Sequence, residues 1–256
     1  MPDFALTCLI VCPLVFLATF VDAVAGGGGL ISIPAYLLAG VPTHLALGTN
    51  KVVNGIGTAC ATWSYFRGGR VKLLVGLSAA VGALAGAALG AALALHIPAA
   101  LLQRLLLLLL PVVAVFLALR RDLGREQPEE KHLSPRRTVA YSLLIGLVIG
   151  GYDGLFGPGT GTFMIMAFTL WLGMDLLTAS GCAKLGNLAS NVSSAVVFIL
   201  SGSVYWRLAA VAACCSILGG ALGARFAMRG GAKRVRWMIF AVLGLLFVKL
   251  LWELLG

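Results

Sequence analysis

Long apolar runs constrain the fold of this sequence more than any other feature. Residues 73–95 and 99–119 are each long enough to cross about 30 Å of hydrocarbon as an α-helix. They are continuously apolar, whereas the strands of a membrane barrel would alternate every second residue. Only 11% of the residues are charged and the mean hydropathy is +1.01, which excludes an ordinary soluble domain. We therefore predict an all-α fold, a polytopic membrane bundle.

A hydrophilic stretch divides the chain into two halves. Residues 120–137 contain glycine, two prolines and charges of both signs, which predicts a solvated linker. The first transmembrane repeat would cover 1–119 and the second 138–256, each with five apolar segments. The second segment of each half is too short to span alone, so we expect it to be short or re-entrant. The ten segments are 4–22, 29–40, 44–66, 71–95, 98–119, 138–152, 160–172, 176–200, 205–227 and 235–254.

Polar and glycine positions recur in the same order in both halves, which indicates an internal duplication. The second half has a two-residue insertion between its second and third aligned positions. The spacing of the later aligned positions is the same in both halves. The aligned pairs are Asp22 with Asp153, Gly26 with Gly157, Lys51 with Lys184, Asn54 with Asn187, Gly86 with Gly219 and Gly90 with Gly223.

Basic residues lie in the short connections and not on a separate basic domain. The formal net charge is +10, but this placement follows membrane topology and argues against nucleic acid as a partner. The three basic connections follow segments three, five and nine, and all three can be cytoplasmic together. The N-terminus would then lie outside, the central linker would be cytoplasmic, and the two repeats would have inverted topology.

Each half contains a glycine-rich loop at the end of its first segment. Broken backbone at membrane depth is tolerated only where protein buries it or a water-filled cavity meets it. A half-helix that starts after such a loop would offer N–H groups and a positive dipole end to an anion. Close helix packing or a simple kink is the alternative. The loop residues predicted to bind substrate are Gly26, Gly27, Gly28 and Gly29 in the first half and Gly157, Gly159 and Thr160 in the second.

One lysine lies well inside the third segment of each half. An intramembrane lysine is energetically costly and therefore indicates a functional site. Nearby amide side chains share its helix face and would suit a small oxyanion. A compatible alternative is an ion pair of Lys51 with Asp22 and of Lys184 with Asp153. The residues of these faces are Asn50, Lys51 and Asn54 in the first half and Lys184, Asn187 and Asn191 in the second.

Asp22 and Asp153 end the first segment of each half, and two roles stay open for them. A buried carboxylate could carry a coupling proton, or it could accept N–H groups of the glycine loop as a cap. The sequence contains no nucleophile–base constellation and no metal-ligand spacing, so we expect neither an enzyme nor a metal or cofactor. Glycines four residues apart predict close helix contacts, either within the bundle or between the subunits of a homodimer.

These motifs resemble the TauE/SafE sulfite exporter family, also called the four-toluene-sulfonate uptake permease group. The resemblance rests on the Asp-Ala-x-x-Gly-Gly-Gly-Gly loop, the Gly-Thr-Asn-Lys segment with an asparagine three residues later, and the repeat across a basic linker. It implies secondary transport of small sulfur-containing or organic anions, such as sulfite, sulfonates or sulfoacetate, and a bacterial inner-membrane location. The second half departs from the pattern, because Cys182-Ala183-Lys184 replaces Thr49-Asn50-Lys51.

The combined prediction is a multi-pass secondary transporter that exports a small anion by alternating access. Its expected partners are that anion and the lipid bilayer. Proton coupling through Asp22 or Asp153 is left open. The alternatives are an anion channel, which would have a continuous pore, and an uptake permease for organosulfur compounds.

Overall fold

The structure is a computed structural model that describes the backbone of residues 4–119 and 133–255 and the side chains of residues 4–109 and 133–230. Within these residues the regular elements are all α-helices, so the predicted all-α class is confirmed. The helices are α1 Phe4–Ala25, α2 Gly29–Leu38, α3 Thr43–Arg67, α4 Leu73–His96, α5 Ala99–Leu119, α6 Pro135–Leu155, α7 Thr160–Leu172, α8 Leu176–Leu200 and α9 Trp206–Leu255.

Five stretches of helix in the described part of the chain are long and apolar enough to cross a membrane. They are α1, α4, α6, α8 and the Trp206–Gly230 part of α9. Large apolar side chains point outward from the bundle, for example Leu89, which is 70% exposed, and Leu200, which is 83% exposed. Such a surface suits lipid, because in lipid the apolar face needs no burial. The chain is therefore a multi-pass membrane protein.

The second helix of each half is short, as predicted. Helix α2 has 10 residues and α7 has 13, which is less than the roughly 20 residues that a perpendicular span requires. Helix α6 begins at Pro135, a residue that fits the first turn because its missing N–H would have no helical partner there. The predicted linker therefore ends within the first turn of α6. Its residues 120–132 lie outside the described part of the chain.

The predicted interruption between segments 205–227 and 235–254 is wrong. These segments belong to one 50-residue helix, α9, which continues through Gly230 and Gly231. The two glycines weaken a helix by about 1 kcal/mol each relative to alanine. No proline or turn motif accompanies them, and the residues that follow include alanine, lysine and arginine, which favour helix.

Helices of the two halves are interleaved. Helix α4 packs on α6 and α8, and α9 packs on α1 and α3. Small residues allow this contact: a Cβ at Gly86 would overlap the Leu147 carbonyl of α6, and a Cβ at Gly219 would overlap α1 at Phe16. The glycine pairs therefore form close helix contacts within one chain. They offer no support for the predicted homodimer, which stays a prediction.

Candidate functional site

Two helix breaks lie at the glycine loops, as predicted. Helix α1 ends at Ala25 and α2 begins at Gly29, while α6 ends at Leu155 and α7 begins at Thr160. The backbone φ angle is +80° at Gly26, +93° at Gly157 and +79° at Gly159. Glycine adopts these angles without the steric cost that other residues meet. The first residues of α2 and α7 thus start new helices inside the protein.

The two loops touch each other. The backbone N–H of Thr162 donates to the Gly26 carbonyl at 3.3 Å, and its hydroxyl donates to the Ala25 carbonyl at 2.8 Å. A Cβ at Gly26 would overlap the backbone of Gly161, and the converse also holds. The absence of side chains at Gly26 and Gly161 is therefore what lets the start of α7 reach the end of α1.

The two lysines form ion pairs across the halves of the chain. Lys51 Nζ lies 2.8 Å from Asp153 Oδ2, and Lys184 Nζ lies 2.7 Å from Asp22 Oδ2. Each ammonium also donates to the backbone carbonyl of the same aspartate. The expected pairs, Lys51 with Asp22 and Lys184 with Asp153, are wrong. Because the halves are interleaved, each lysine faces the broken helix of the other half.

The carboxylate of Asp153 is held by three side chains. Its Oδ1 accepts a hydrogen bond from Thr160 Oγ1 at 2.8 Å. Its Oδ2 accepts from Ser190 Oγ at 2.6 Å in addition to Lys51. Ser190 was not among the predicted site residues. Its position three residues after Asn187 on the same face of α8 was a usable signal, but the aligned residue in the first half is Gly57, so the repeat did not single it out.

Apart from its ion pair with Lys184, the carboxylate of Asp22 is held by longer hydrogen bonds than the carboxylate of Asp153. Its Oδ1 accepts the backbone N–H of Gly28 at 3.4 Å, a long version of the predicted loop cap. Its Oδ2 lies 3.5 Å from Asn187 Nδ2. The side chain of Asp22 is 11% exposed, compared with 4% for Asp153. The two carboxylates occupy matching places with unequal surroundings.

The predicted asparagine faces are formed and buried. Asn54 Nδ2 donates to Asn50 Oδ1 at 3.1 Å, and Asn191 Nδ2 donates to Asn187 Oδ1 at 3.2 Å. Both pairs are four residues apart, which places them on one helix face. The buried Oδ1 of Asn54 accepts no hydrogen bond from the described residues.

Most of the predicted site residues surround one small cavity. Its volume is about 10 Å³, close to the minimum that holds one water molecule. Gly161 also lines it and was not among the predicted binding residues. The lining residues are Asp22, Gly26, Gly29, Asn50, Lys51, Asn54, Asp153, Gly157, Thr160, Gly161, Asn187 and Asn191.

Four predicted residues do not line the cavity. Lys184 is fully buried and donates to Asp22, which does line the cavity. Gly28 instead packs against α1, where a Cβ would overlap the Ala18 carbonyl. Gly27 and Gly159 belong to the two loops but do not line the cavity.

The charges around the cavity balance. Lys51 and Lys184 contribute two positive charges, and Asp22 and Asp153 contribute two negative ones. Burial makes each pair necessary, because an unpaired charge away from water costs several kcal/mol. In the part of the chain that the structure describes, no three His, Cys, Asp or Glu side chains are placed to hold a metal ion. Amide groups, an ammonium group and helix N-termini are groups that can bind a small polar or anionic molecule.

Comparisons with known proteins agree over most of the chain. Residues 11–250 match the family described as "Sulfite exporter TauE/SafE". The "Probable membrane transporter protein ORF9" of Sinorhizobium sp is 38% identical over 92% of this chain and 89% of its own length. A "Probable membrane transporter protein" of Haemophilus influenzae is 35% identical, covering 93% and 92%. The Escherichia coli K12 protein "Probable membrane transporter protein YfcA" is 33% identical, covering 93% and 87%. No solved structure matches the chain.

Proposed function

The chain belongs to the Sulfite exporter TauE/SafE family and is a membrane transporter, not an enzyme, and from this premise we propose that it exports a small sulfur-containing or organic anion. Sulfite, sulfonates and sulfoacetate-like molecules are the proposed substrates, and the bacterial inner membrane is the proposed location. The family supports sulfite as the first substrate to test. The central linker is proposed to be cytoplasmic and the N-terminus to lie outside.

One observation carries the proposal: a buried cavity is shared by an ammonium group, four amide side chains and two helix breaks. Lys51, Asn50 and Asn54 come from α3, and Asn187 and Asn191 come from α8. Helices α2 and α7 begin beside them. A helix N-terminus carries unpaired N–H groups and a partial positive charge, so both starts favour an anion. The predicted loop and face residues are therefore the proposed substrate site, with Gly161 added.

The mechanism we propose is alternating access by two inverted repeats. Its support is the paired packing of the helices: Gly86 of α4 abuts Leu147 of α6, and Gly219 of α9 abuts Phe16 of α1. These contacts correspond under the sequence alignment of the halves, as a pseudo-two-fold axis requires. A cavity of about 10 Å³ is also too small for sulfite. The loops must therefore separate before substrate binds, which fits rocking of one repeat against the other.

An anion channel is the second candidate, and its pore would use the same lysines and helix starts. The cavity that Gly29 and Gly161 line has a volume of about 10 Å³, and this narrowness favours a transporter over a continuous pore. Purified protein in proteoliposomes tests both ideas. A transporter should show saturable sulfite flux that is faster when sulfite is also present on the opposite side. Flux that rises without saturation and is unaffected by sulfite on the opposite side would favour the channel, and no flux above empty vesicles would contradict both.

Direction is tested in the same vesicles by protease access. The orientation of each molecule is read from cleavage in the central linker, which is proposed to face the cytoplasm. Sulfite efflux from right-side-out vesicles that exceeds influx at equal driving force supports export. The reverse ratio supports the uptake permease.

A further inference from the structure

The balanced charges at the cavity restrict what can enter it. The two positive charges of Lys51 and Lys184 offset the two negative charges of Asp22 and Asp153 before any substrate is bound. A singly charged anion would leave this buried site with a net charge of −1. Charge interactions are strong in a low-dielectric interior, and an uncompensated buried charge is unfavourable. Neutralisation of one carboxylate by a proton restores the balance.

The two carboxylates differ in how firmly their charged forms are held. Asp153 accepts three short hydrogen bonds from Lys51, Thr160 and Ser190, at 2.8, 2.8 and 2.6 Å. Hydrogen bonds to the charged form of a carboxylate stabilise that form. Among the described residues, Asp22 has one short bond, from Lys184, and two long ones, from the Gly28 N–H at 3.4 Å and from Asn187 Nδ2 at 3.5 Å. Asp22 is the less firmly held of the two carboxylates, and its side chain is the more exposed.

We propose that Asp22 takes up one proton for each singly charged anion that binds beside Lys51. This rests on the proposed function, and it specifies the coupling ion and its carrier. The proton adds to a carboxylate oxygen of Asp22, which becomes neutral. Lys184 keeps its charge, and that charge then offsets the anion. Release of the anion and of the proton on the far side restores the ion pair of Lys184 with Asp22. The proton and the anion therefore cross together, and export runs down the concentration gradient of the anion.

The other titratable groups around Asp22 are few. Lys184 faces it from α8 and Lys51 from α3, with Asp153 on α6 across the cavity. Tyr65 of α3 donates to the neighbouring Ala23 carbonyl. The sequences of α2 and α7 contain no charged residue. Helix α9 also packs on α1. The side chains of Arg225 and Arg229 in α9 are both exposed.

The first test counts protons. Sulfite is titrated into detergent-purified protein by calorimetry in two buffers of different ionisation enthalpy, for the wild type and for Asp22→Asn. Sulfite has its own protonation chemistry, and the difference between the two proteins cancels it. We expect the wild type to take up about one proton more per sulfite than Asp22→Asn. If both proteins bind sulfite and take up the same number of protons, the proposed coupling is overturned. The proposed transport of sulfite is unaffected by that result.

The second test assigns the proton to a residue, and it keeps every charge in place. Sulfite-induced infrared difference spectra should contain a new protonated-carboxyl C=O band in the wild type. We expect Asp22→Glu to shift this band and the matched Asp153→Glu to leave it unshifted. A band that moves with Asp153→Glu, or no such band, overturns the assignment to Asp22. If the wild type binds no sulfite, the proposed function itself fails, which is a different result from either of these.

Discussion

Lys51 and Asp153, which are 102 residues apart in the chain, form a buried ion pair of 2.8 Å at the point where α6 breaks. Lys184 and Asp22 form the corresponding pair at the break of α1. Each lysine thus holds the broken helix of the other half. A movement that separates the halves at this point must lengthen both pairs. The residues of the proposed substrate site are therefore also residues that hold the two halves together.

We expect Lys51→Gln to abolish most sulfite binding. Lys51 is the lysine that lines the cavity, and the change replaces its ammonium group with a shorter, uncharged polar side chain. The effect should be at least about tenfold in Kd, because charged hydrogen bonds contribute about 1.5–3 kcal/mol. Binding is measured by calorimetry on protein that retains its folded state. Arg67→Gln is the matched control: Arg67 is on the same helix but exposed, and it should bind like the wild type. Wild-type affinity in Lys51→Gln would contradict the site.

Lys184→Met should act mainly on stability. Lys184 is fully buried, and its removal leaves Asp22 without its counter-ion. Breaking a buried pair at one partner costs about 3–5 kcal/mol, whereas replacing both partners costs much less. Thermal unfolding should therefore show a large loss for Lys184→Met and recovery of most of it in Lys184→Met/Asp22→Leu. If the double variant is no more stable than the single one, the pair is not the reason for the loss.

Gly26→Ala should destabilise the contact between the loops. Gly26 has a φ of +80°, and a Cβ there would overlap the Gly161 backbone. Gly202 is the matched control, because it has a φ of +71° with no atom within 4 Å of its would-be Cβ. Gly202→Ala should cost only the backbone strain, about 1–2 kcal/mol, and Gly26→Ala clearly more. Equal shifts in melting temperature would mean that the loops do not need this close approach.

Ser190→Ala should loosen Asp153. The Ser190 hydroxyl donates to Asp153 Oδ2 at 2.6 Å inside the protein. Its loss is expected to cost about 1–3 kcal/mol, since a buried acceptor loses a donor. Ser193→Ala, on the same helix, removes a hydroxyl that donates to the Leu84 carbonyl at an exposed position and should cost less than about 1 kcal/mol. Urea or thermal unfolding of the two variants gives the comparison, and the reverse order would show that Ser190 does not stabilise Asp153.

Features that depend on short stretches of sequence were predictable. Apolar runs indicated membrane helices, and glycine loops at Gly26 and Gly157 indicated where two of them break. The spacing of Asn54 from Lys51 and of Asn187 from Lys184 placed each pair on one helix face. Local signals also failed at one place: the basic stretch between segments 205–227 and 235–254 predicted a connection, but α9 continues through it. Glycine only weakens a helix, and in α9 nothing else interrupts it.

The sequence by itself determined the membrane class, the broken helices and the polar residues that the site draws on, because hydropathy, helix period and glycine conformation act over a few residues. The tertiary structure decided which residues meet. It paired Lys51 with Asp153 and left Lys184 outside the cavity lining. It also placed the Ser190 hydroxyl beside the Asp153 carboxylate. Those choices depend on how α4 and α9 pack across the halves. A sequence period indicates which side of a helix is polar, but the partner on that side is set by the close approach of small residues in distant helices.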